Sequence, residues 1–341
     1  MVKYPPREPL ALLPSPFVFL ERATARWGRG RRIWCKRDDL TGSLLTGNKV
    51  RKLEFIAAEA RARQCTVLVT AGALQSNHCR ATAAVAAQLG IKCELILRGE
   101  EQALEGNYLL SRLLDANITY VSRSTTGDEM TEHLANAVQR WAAKGEKALS
   151  LPIGGSDEIG IWGYIAAVEE LSSDMARHSI RQAAIVHATG SGGTQAGLNA
   201  GVLMHNLPAD VVSYAVCDDA AYFNDKAQQD WQALRASTPD LPVEPIKTVT
   251  NDHFIGPGYG RADQAVFDTL AELARLEGIT LDPVYTGKAF HGMVTDLEHS
   301  SFLSEAADII FVHTGGVFGI FPHADALQRS LQRVQAVNTP H

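Results

Sequence analysis

Apolar runs that stop abruptly in glycine-rich or polar turns constrain this chain more than any other feature. Residues 65–70 run into AGALQSN, the segment AAIVHA runs into TGSGGTQAG, and residues 308–313 run into TGG. After the first two turns the pattern becomes helical, with an alanine-rich stretch over 79–89 and another reaching Leu203. Buried strands that alternate with helices predict an α/β layer structure with a largely parallel sheet. The alternation continues through the strand IKCELIL, a helix over 108–114, the strand ITYVS, a helix over 129–143, the segment ALSLPIGG and a helix over 164–171. A strand over 211–216 and helices over 262–276 and 287–297 complete it, and residues 33–36 read as a short strand upstream. From Lys49, the residues Val50, Leu53, Ile56, Ala57 and Ala60 recur at helical intervals, while Arg51, Lys52, Glu54 and Glu59 fall between them. Residues 237–260, with several Pro and Gly, read as a long loop, and such loops in enzymes often face a substrate.

With 341 residues the chain is long enough for a substantial core, in one large domain or two interlocked ones. Its formal charge of -6, with signs mixed along the chain, offers no basic stripe to a nucleic-acid backbone and favours a small-molecule partner. Five scattered cysteines without a CxxC pair read as reduced thiols of a cytoplasmic protein rather than as a disulfide framework or metal cluster. The opening MVKYPPREPLALLPSP places prolines where a secretory leader needs an apolar run, and no later stretch approaches about 18 uncharged apolar residues. Neither secretion nor membrane insertion is therefore expected. The histidines form no HExxH or other metal signature, and no GxSxG nucleophile turn is present.

Five short motifs carry the candidate chemistry. In Thr189-Gly190-Ser191-Gly192-Gly193-Thr194 a strand meets a helix, so successive amides and hydroxyls can converge on one anion at the positive end of the helix. A phosphate site is one reading and a flexible turn the other; the motif is neither a Walker A loop nor a dinucleotide GxGxxG. In Thr46-Gly47-Asn48-Lys49 a glycine turn becomes a helix, which would hold the lysine rigidly. A partly desolvated lysine there can form an imine with a carbonyl cofactor, the alternative being a solvated charge. Pyridoxal phosphate needs both an imine lysine and a phosphate site. Gln75-Ser76-Asn77-His78 sets amide and hydroxyl groups at a strand-to-helix corner, where they suit a carboxylate, with Asn77 read alternatively as the helix N-cap and His78 as a helix-surface residue. Tyr285, in Asp282-Pro283-Val284-Tyr285-Thr286-Gly287-Lys288, is either a proton donor or structural. His313-Thr314-Gly315-Gly316 again follows an apolar strand, and the recurrence of polar loops after strands suits ligand binding at one rim of the sheet.

Taken together, GNKVRKLEF at 47–55, QSNHCR at 75–80, GSGGTQAG at 190–197, DPVYTGK at 282–288 and HTGG at 313–316 resemble the D-cysteine desulfhydrase and 1-aminocyclopropane-1-carboxylate deaminase family over roughly residues 5–327. The resemblance implies a fold type II, tryptophan synthase β-like architecture, with two open α/β domains and pyridoxal 5'-phosphate in the cleft. The large cofactor-binding domain would comprise 1–50 and 162–341, and the small α/β domain 51–161. Carried over by resemblance, Lys49 holds the cofactor and later moves protons at the substrate α-carbon. Asn77 contacts the ring oxygen, Gln75 and Ser76 face the substrate carboxylate, and Ser191, Gly192, Gly193 and Thr194 bind the phosphate. Tyr285 stands near the substrate with Tyr259 as a second phenol, and Thr314 or Thr286 lies near the pyridine nitrogen. The resemblance also implies a homodimer acting on a small amino acid, and the charge and apolar pattern above point to neither a nucleic-acid nor a membrane partner.

The deaminases resemble this chain at DPVY but place a glutamate next, where Thr286 stands here. A carboxylate at the ring nitrogen favours the protonated, strongly electron-withdrawing ring that cyclopropane opening requires, whereas a neutral hydroxyl suffices for loss of a β leaving group. The implied reaction is β-elimination on a D-amino acid, D-cysteine giving pyruvate, hydrogen sulfide and ammonium. Cyclopropane deamination, elimination from a sulfonate as in the L-cysteate sulfo-lyases, and a noncatalytic cofactor-binding regulator are the alternatives. Asp157-Glu158, Trp162 and Val317-Phe318 depart from the family pattern and are expected to add acidity and bulk beside the pocket; Ala73 and Thr46 stand where glycine is usual.

Overall fold

The computed structural model describes residues 2–299, 302–303 and 306–337. Its strands, in chain order, are β1 (Phe17–Phe19), β2 (Arg32–Lys36), β3 (Val67–Ala73), β4 (Lys92–Arg98), β5 (Asn117–Val121), β6 (Ala148–Ser150), β7 (Ala183–Thr189), β8 (Ala209–Ala215), β9 (Val249–Asn251) and β10 (Asp308–Val312). The helices are α1 (Glu21–Trp27), α2 (Asn48–Ala62), α3 (Asn77–Leu89), α4 (Gly106–Leu113), α5 (Gly127–Ala142), α6 (Trp162–Arg177), α7 (Gly193–His205), α8 (Ala220–Ser237), α9 (Gln264–Glu277), α10 (Thr286–His299) and α11 (Ala324–Val337).

Two sheets result. The larger runs β1-β2-β10-β7-β8-β9, parallel except for the β1–β2 pair, and the smaller runs β5-β4-β3-β6, parallel throughout. Helices cover both faces of each, which is why the strands read as unbroken apolar runs. In β10, Ile309 and Phe311 join Phe290 and Met293 of α10, while Ile310 and Val312 join Tyr164 and Leu171 of α6. In β3, Leu68 packs toward Ala84 and Val85 of α3, while Val67 and Val69 meet Met130, Leu134 and Trp141 of α5. Small residues set the closest helix approaches: a Cβ at Gly163 would lie 2.4 Å from the Arg51 carbonyl oxygen, so α6 rests directly on the backbone of α2. Among the described residues no helix is long and apolar enough to cross a membrane.

Several elements depart from the sequence reading. Beyond residue 216, where the sequence reading places no element before the loop, the chain folds into α8, where buried Phe223, Ala227, Trp231 and Leu234 line one face. The expected loop over 237–260 contributes β9, which extends the larger sheet through the pair Val212↔Val249. Upstream, Phe17–Phe19 form β1 and Glu21–Trp27 form α1, elements that have no counterpart in the sequence reading. Arg51, Lys52 and Glu54, which the helical pattern places between apolar positions, are buried at 1%, 1% and 2% exposure.

Candidate active site

The turns that leave the C-terminal ends of β3, β7, β8 and β10 converge on one cavity of about 930 Å³, at the rim where α/β sheets bind ligands. Lys49 reaches it through two interlocked glycine turns. Gly47, at φ 96°, precedes α2; its N–H donates to Asp38 O at 3.0 Å, and the Asn48 N–H donates to Thr314 O at 3.0 Å. A Cβ at Gly47 would lie 2.6 Å from the Thr314 carbonyl oxygen, and one at Gly315 (φ 89°) 2.6 Å from the Gly47 Cα. Only glycine permits this contact, so HTGG fixes where α2 begins and thereby where Lys49 points. Burial lowers the Lys49 pKa from 10.5 to about 8; the Arg80 guanidinium acts in the same direction and Cys79 against it. The lysine therefore carries a usable fraction of free amine near neutral pH.

The glycine-rich turn after β7 forms the second wall. Ser191 and Gly192 line the cavity, Gly192 in the left-handed region at φ 81°, and Thr194 accepts a hydrogen bond from Asn48 Nδ2 at 3.0 Å, which ties the turn to the lysine segment. Gly193 lies just behind the wall, its N–H donating to Ser156 Oγ at 3.2 Å. Ser156 also meets the Ser191 hydroxyl at 2.9 Å and accepts from Lys52 Nζ at 3.1 Å. Lys52 Nζ donates otherwise to Gly154 O at 3.2 Å, and among the described residues no carboxylate pairs with it. Burial pushes its pKa well below the usual lysine value, with Lys49 adding repulsion. A buried lysine Nζ backed by amides and hydroxyls at a helix N-terminus is a donor set for a phosphate dianion, whose negative charge would itself favour the ammonium form. Lys52→Met should weaken binding of a phosphate ester here by about 1.5–3 kcal/mol, the range for hydrogen bonds to charged groups, as read by equilibrium dialysis. Lys52, Ser156 and Lys226, a cavity-lining residue of α8, are site residues that sequence reasoning missed. For Lys52 the signal was present: it stands one helical turn beyond Lys49.

At the third wall Ser76, not Asn77, is the N-cap of α3; its hydroxyl accepts from the Cys79 N–H at 3.1 Å, a cap worth about 1 kcal/mol. Asn77 lines the cavity and its Oδ1 accepts from Asn107 Nδ2 at 3.0 Å. Gln75 does not reach the cavity wall: its side chain accepts from the Asn107 N–H at 2.9 Å and donates to Glu105 O at 3.2 Å, which fixes the start of α4. His78 is not on the helix surface. It is buried, meets Thr70 Oγ1 at 2.9 Å, and burial holds its pKa far below 6.5.

Tyr259 and Tyr285 both line the cavity with their hydroxyls 2.5 Å apart, and burial raises both phenols, so both are neutral proton donors near pH 7. Tyr285 is held by Asp282, whose carboxylate accepts from the N–H groups of Val284, Tyr285 and Thr286 at 2.8–2.9 Å. That arrangement also engages Thr286. Its hydroxyl donates to Asp282 Oδ1 at 2.8 Å and accepts from the Asp282 N–H at 3.0 Å, and the residue is fully buried behind the wall. Of the two threonines expected at the pyridine nitrogen, Thr314 is the one that lines the cavity.

The expected bulk beside the pocket lies elsewhere. Trp162 packs edge-on against Tyr4 in the core, Asp157 accepts from the Gly160 N–H at 2.7 Å, and Phe318 lies under the Arg80 guanidinium at 5.3 Å. None of these residues, nor Val317, lines the cavity. Ala73 does line it, and Thr46 is buried with its hydroxyl on Asp39 O.

The sequence pattern of the pyridoxal-phosphate dependent enzyme family matches residues 9–315. The chain is 36% identical over 332 residues to the bifunctional D-cysteine desulfhydrase/1-aminocyclopropane-1-carboxylate deaminase, mitochondrial, of Arabidopsis thaliana, covering 93% of this chain and 80% of that one. It is 38% identical over 301 residues to the D-cysteine desulfhydrase of Yersinia pestis, covering 86% and 89%. Among solved structures, a crystal structure described as that of an ACC deaminase homologue superposes with a TM-score of 0.85 at 32% identity, over 95% of this chain and 96% of that one. The residues present fit such a cofactor. Lys49 is a desolvated amine, Lys52 and the glycine turn form an anion cradle, and at the wall Thr189 Oγ1 and His78 Nδ1 are buried polar atoms with no hydrogen-bond partner among the described residues.

Proposed function

Because this chain belongs to the pyridoxal-phosphate dependent enzymes, in the fold type II group that contains the D-cysteine desulfhydrases and 1-aminocyclopropane-1-carboxylate deaminases, we propose that it is a carbon-sulfur lyase that converts D-cysteine to pyruvate, hydrogen sulfide and ammonium. The observation that carries the reading is the neutral side chain at position 286, turned onto Asp282, so that no carboxylate enters the cavity from this position. A neutral environment at the ring nitrogen suits β-elimination better than cyclopropane opening.

Pyridoxal phosphate, when bound, supplies a carbonyl that captures amines and a ring that accepts the electrons released at the substrate α-carbon. Lys49 would hold it, and its amine would take the α-proton of the substrate; the lowered pKa suits both tasks. Ser191 to Thr194, with Lys52 behind them, would hold the phosphate, and Thr314 would supply a neutral hydroxyl toward the ring nitrogen. Ser76 and Asn77, at the positive end of α3, orient the substrate carboxylate. The phenols Tyr285 and Tyr259 retain their protons at neutral pH and serve as donors to the departing sulfur. Overall, the α C–H and β C–S bonds break, sulfur leaves with the bonding pair and gains a proton, the β-carbon gains a proton to become the methyl group of pyruvate, and the oxygen of water replaces nitrogen at the α-carbon as ammonium leaves.

Cyclopropane deamination is the second reading, favoured by the deaminase names of the Arabidopsis relative and the solved homologue. Mass spectrometry of the keto acid formed from an equimolar mixture of D-cysteine and 1-aminocyclopropane-1-carboxylate separates them. Pyruvate is expected; 2-oxobutyrate would transfer the assignment to ring opening.

A further inference from the structure

Lys288, two positions inside α10, is a buried cation that the proposed chemistry does not use. Its side chain is 1% exposed, and its ammonium donates to three backbone carbonyls: Ile255 at 2.7 Å, Gly258 at 2.9 Å and Val216 at 3.3 Å. Among the described residues no carboxylate lies within ion-pair distance of it, and burial lowers its pKa. Carbonyl dipoles converging on a dehydrated positive charge are how proteins hold a free monovalent cation; here the charge is tethered to a helix.

The three carbonyls belong to segments that must keep their relative places. Val216 follows β8 and precedes the cavity-lining Cys217. Ile255 and Gly258 belong to the turn that presents Tyr259, with positive φ at Gly256 (64°), Gly258 (107°) and Gly260 (76°). The turn is exposed at its tip, with Tyr259 46% exposed although its hydroxyl lies on Tyr285, and Arg261 just beyond it is exposed; within the turn the Arg261 N–H donates to Gly258 O at 3.3 Å. Lys288 lies one helical turn beyond Tyr285, so a single side chain links the helix that starts at one phenol to the loop that carries the other. The phenols then meet at 2.5 Å.

We propose that Lys288 is a positioning residue, a tethered internal cation that holds the Tyr259 turn against Tyr285 and so sets the phenol pair at the cavity. Its catalytic consequence rests on the reading of those phenols as proton donors; the loop-holding role stands without it. Lys288→Met keeps the length and removes the charge, leaving three carbonyls facing a methyl group. It is expected to lower kcat with D-cysteine by about tenfold to a hundredfold, as for a small misplacement of a catalytic group, with KM and cofactor absorbance little changed. Combined with Tyr259→Phe, the double variant should be no slower than Tyr259→Phe alone, because Lys288 acts through that hydroxyl. Lys288→Ala leaves room for a free ion, so ammonium chloride should restore its kcat several-fold where tetramethylammonium chloride at equal ionic strength does not. Independently of any substrate, trypsin should cleave after Arg261 faster in Lys288→Ala than in wild type, and ammonium should slow that cleavage. Unchanged cleavage after Arg261, or cleavage indifferent to ammonium, would overturn the loop-holding role. Additive losses in the double variant would overturn the link to Tyr259. If wild type ignores D-cysteine but the cleavage results hold, the substrate reading fails and the loop-holding role stands.

Discussion

Replacing Lys49 with alanine is expected to lower turnover of D-cysteine by about 10²- to 10⁴-fold or more, the range for loss of a proton-transferring group, and to abolish the visible absorbance of lysine-bound cofactor. Both effects follow from its position. Gly47 and Gly315 lock the start of α2, and the side chain enters a cavity where burial has lowered its pKa to about 8. Because the attacking form is the free amine, the rate at which cofactor-free protein captures pyridoxal phosphate should rise with pH and level off above about 8. Stopped-flow absorbance measures that profile. Turnover that survives in Lys49→Ala would remove the lysine from the chemistry.

The second large effect is on stability. Arg51, two residues beyond Lys49, forks onto Asp38 through Nε and Nη2, both at 2.8 Å, and reaches Glu170 of α6 through Nη1 at 2.8 Å. Tyr164 and Ser15 donate to the same aspartate at 2.6 and 2.7 Å, and Lys36 joins through Glu170 at 3.0 Å. Arg51→Met should destabilise the protein by about 3–5 kcal/mol, the cost of breaking a buried ion pair from one side, seen as a lower urea midpoint with an unchanged slope. A loss below about 1 kcal/mol, typical of an exposed pair, would contradict this account. Burial alone would raise the Asp38 pKa, but the Arg51 charge and the hydrogen bonds outweigh it and hold Asp38 below the usual carboxylate range, as they do Glu170. In wild type this contribution is present above the unfolded carboxylate pKa of about 4 and is lost as pH falls through the lower folded value. Without Arg51 the buried Asp38 moves upward instead, so acidification relieves its cost. The stability gap between the two proteins should therefore narrow as pH falls.

That network also shows where sequence reasoning ends. The inner strands β3, β4, β7, β8 and β10 were legible because burial makes each a largely apolar run, and the polar turns after β3, β7 and β10 pointed to one rim. Lys49 and the glycine turn were legible because strand, turn and helix stand next to one another in sequence. Arg51, Lys52 and Glu54 resemble the solvated face of α2, yet the groups that permit their burial come from other parts of the chain: Asp38 and Glu170 for Arg51, Gly154 and Ser156 for Lys52, and the Leu10 and Ala11 amides for Glu54. Periodicity cannot register partners so far away. The same applies to Gln75, whose side chain is taken by Asn107; the partner of Thr286, Asp282, stands in the same motif, but the motif does not show that the hydroxyl turns onto it and away from the cavity. With three residues, β9 is too short to show an alternation, and the buried face of α8 includes Asp230 among its apolar positions.

The most direct test of the central claim, that this cleft holds pyridoxal phosphate on Lys49, is borohydride reduction of the cofactor-loaded protein followed by peptide mass mapping. Three lysines, Lys49, Lys52 and Lys226, lie at or just behind the cavity wall. The account predicts the reduced cofactor's mass on the peptide that contains Lys49, with Lys52 and Lys226 unlabelled. A label on either of those, or none in protein that still converts D-cysteine, would contradict it.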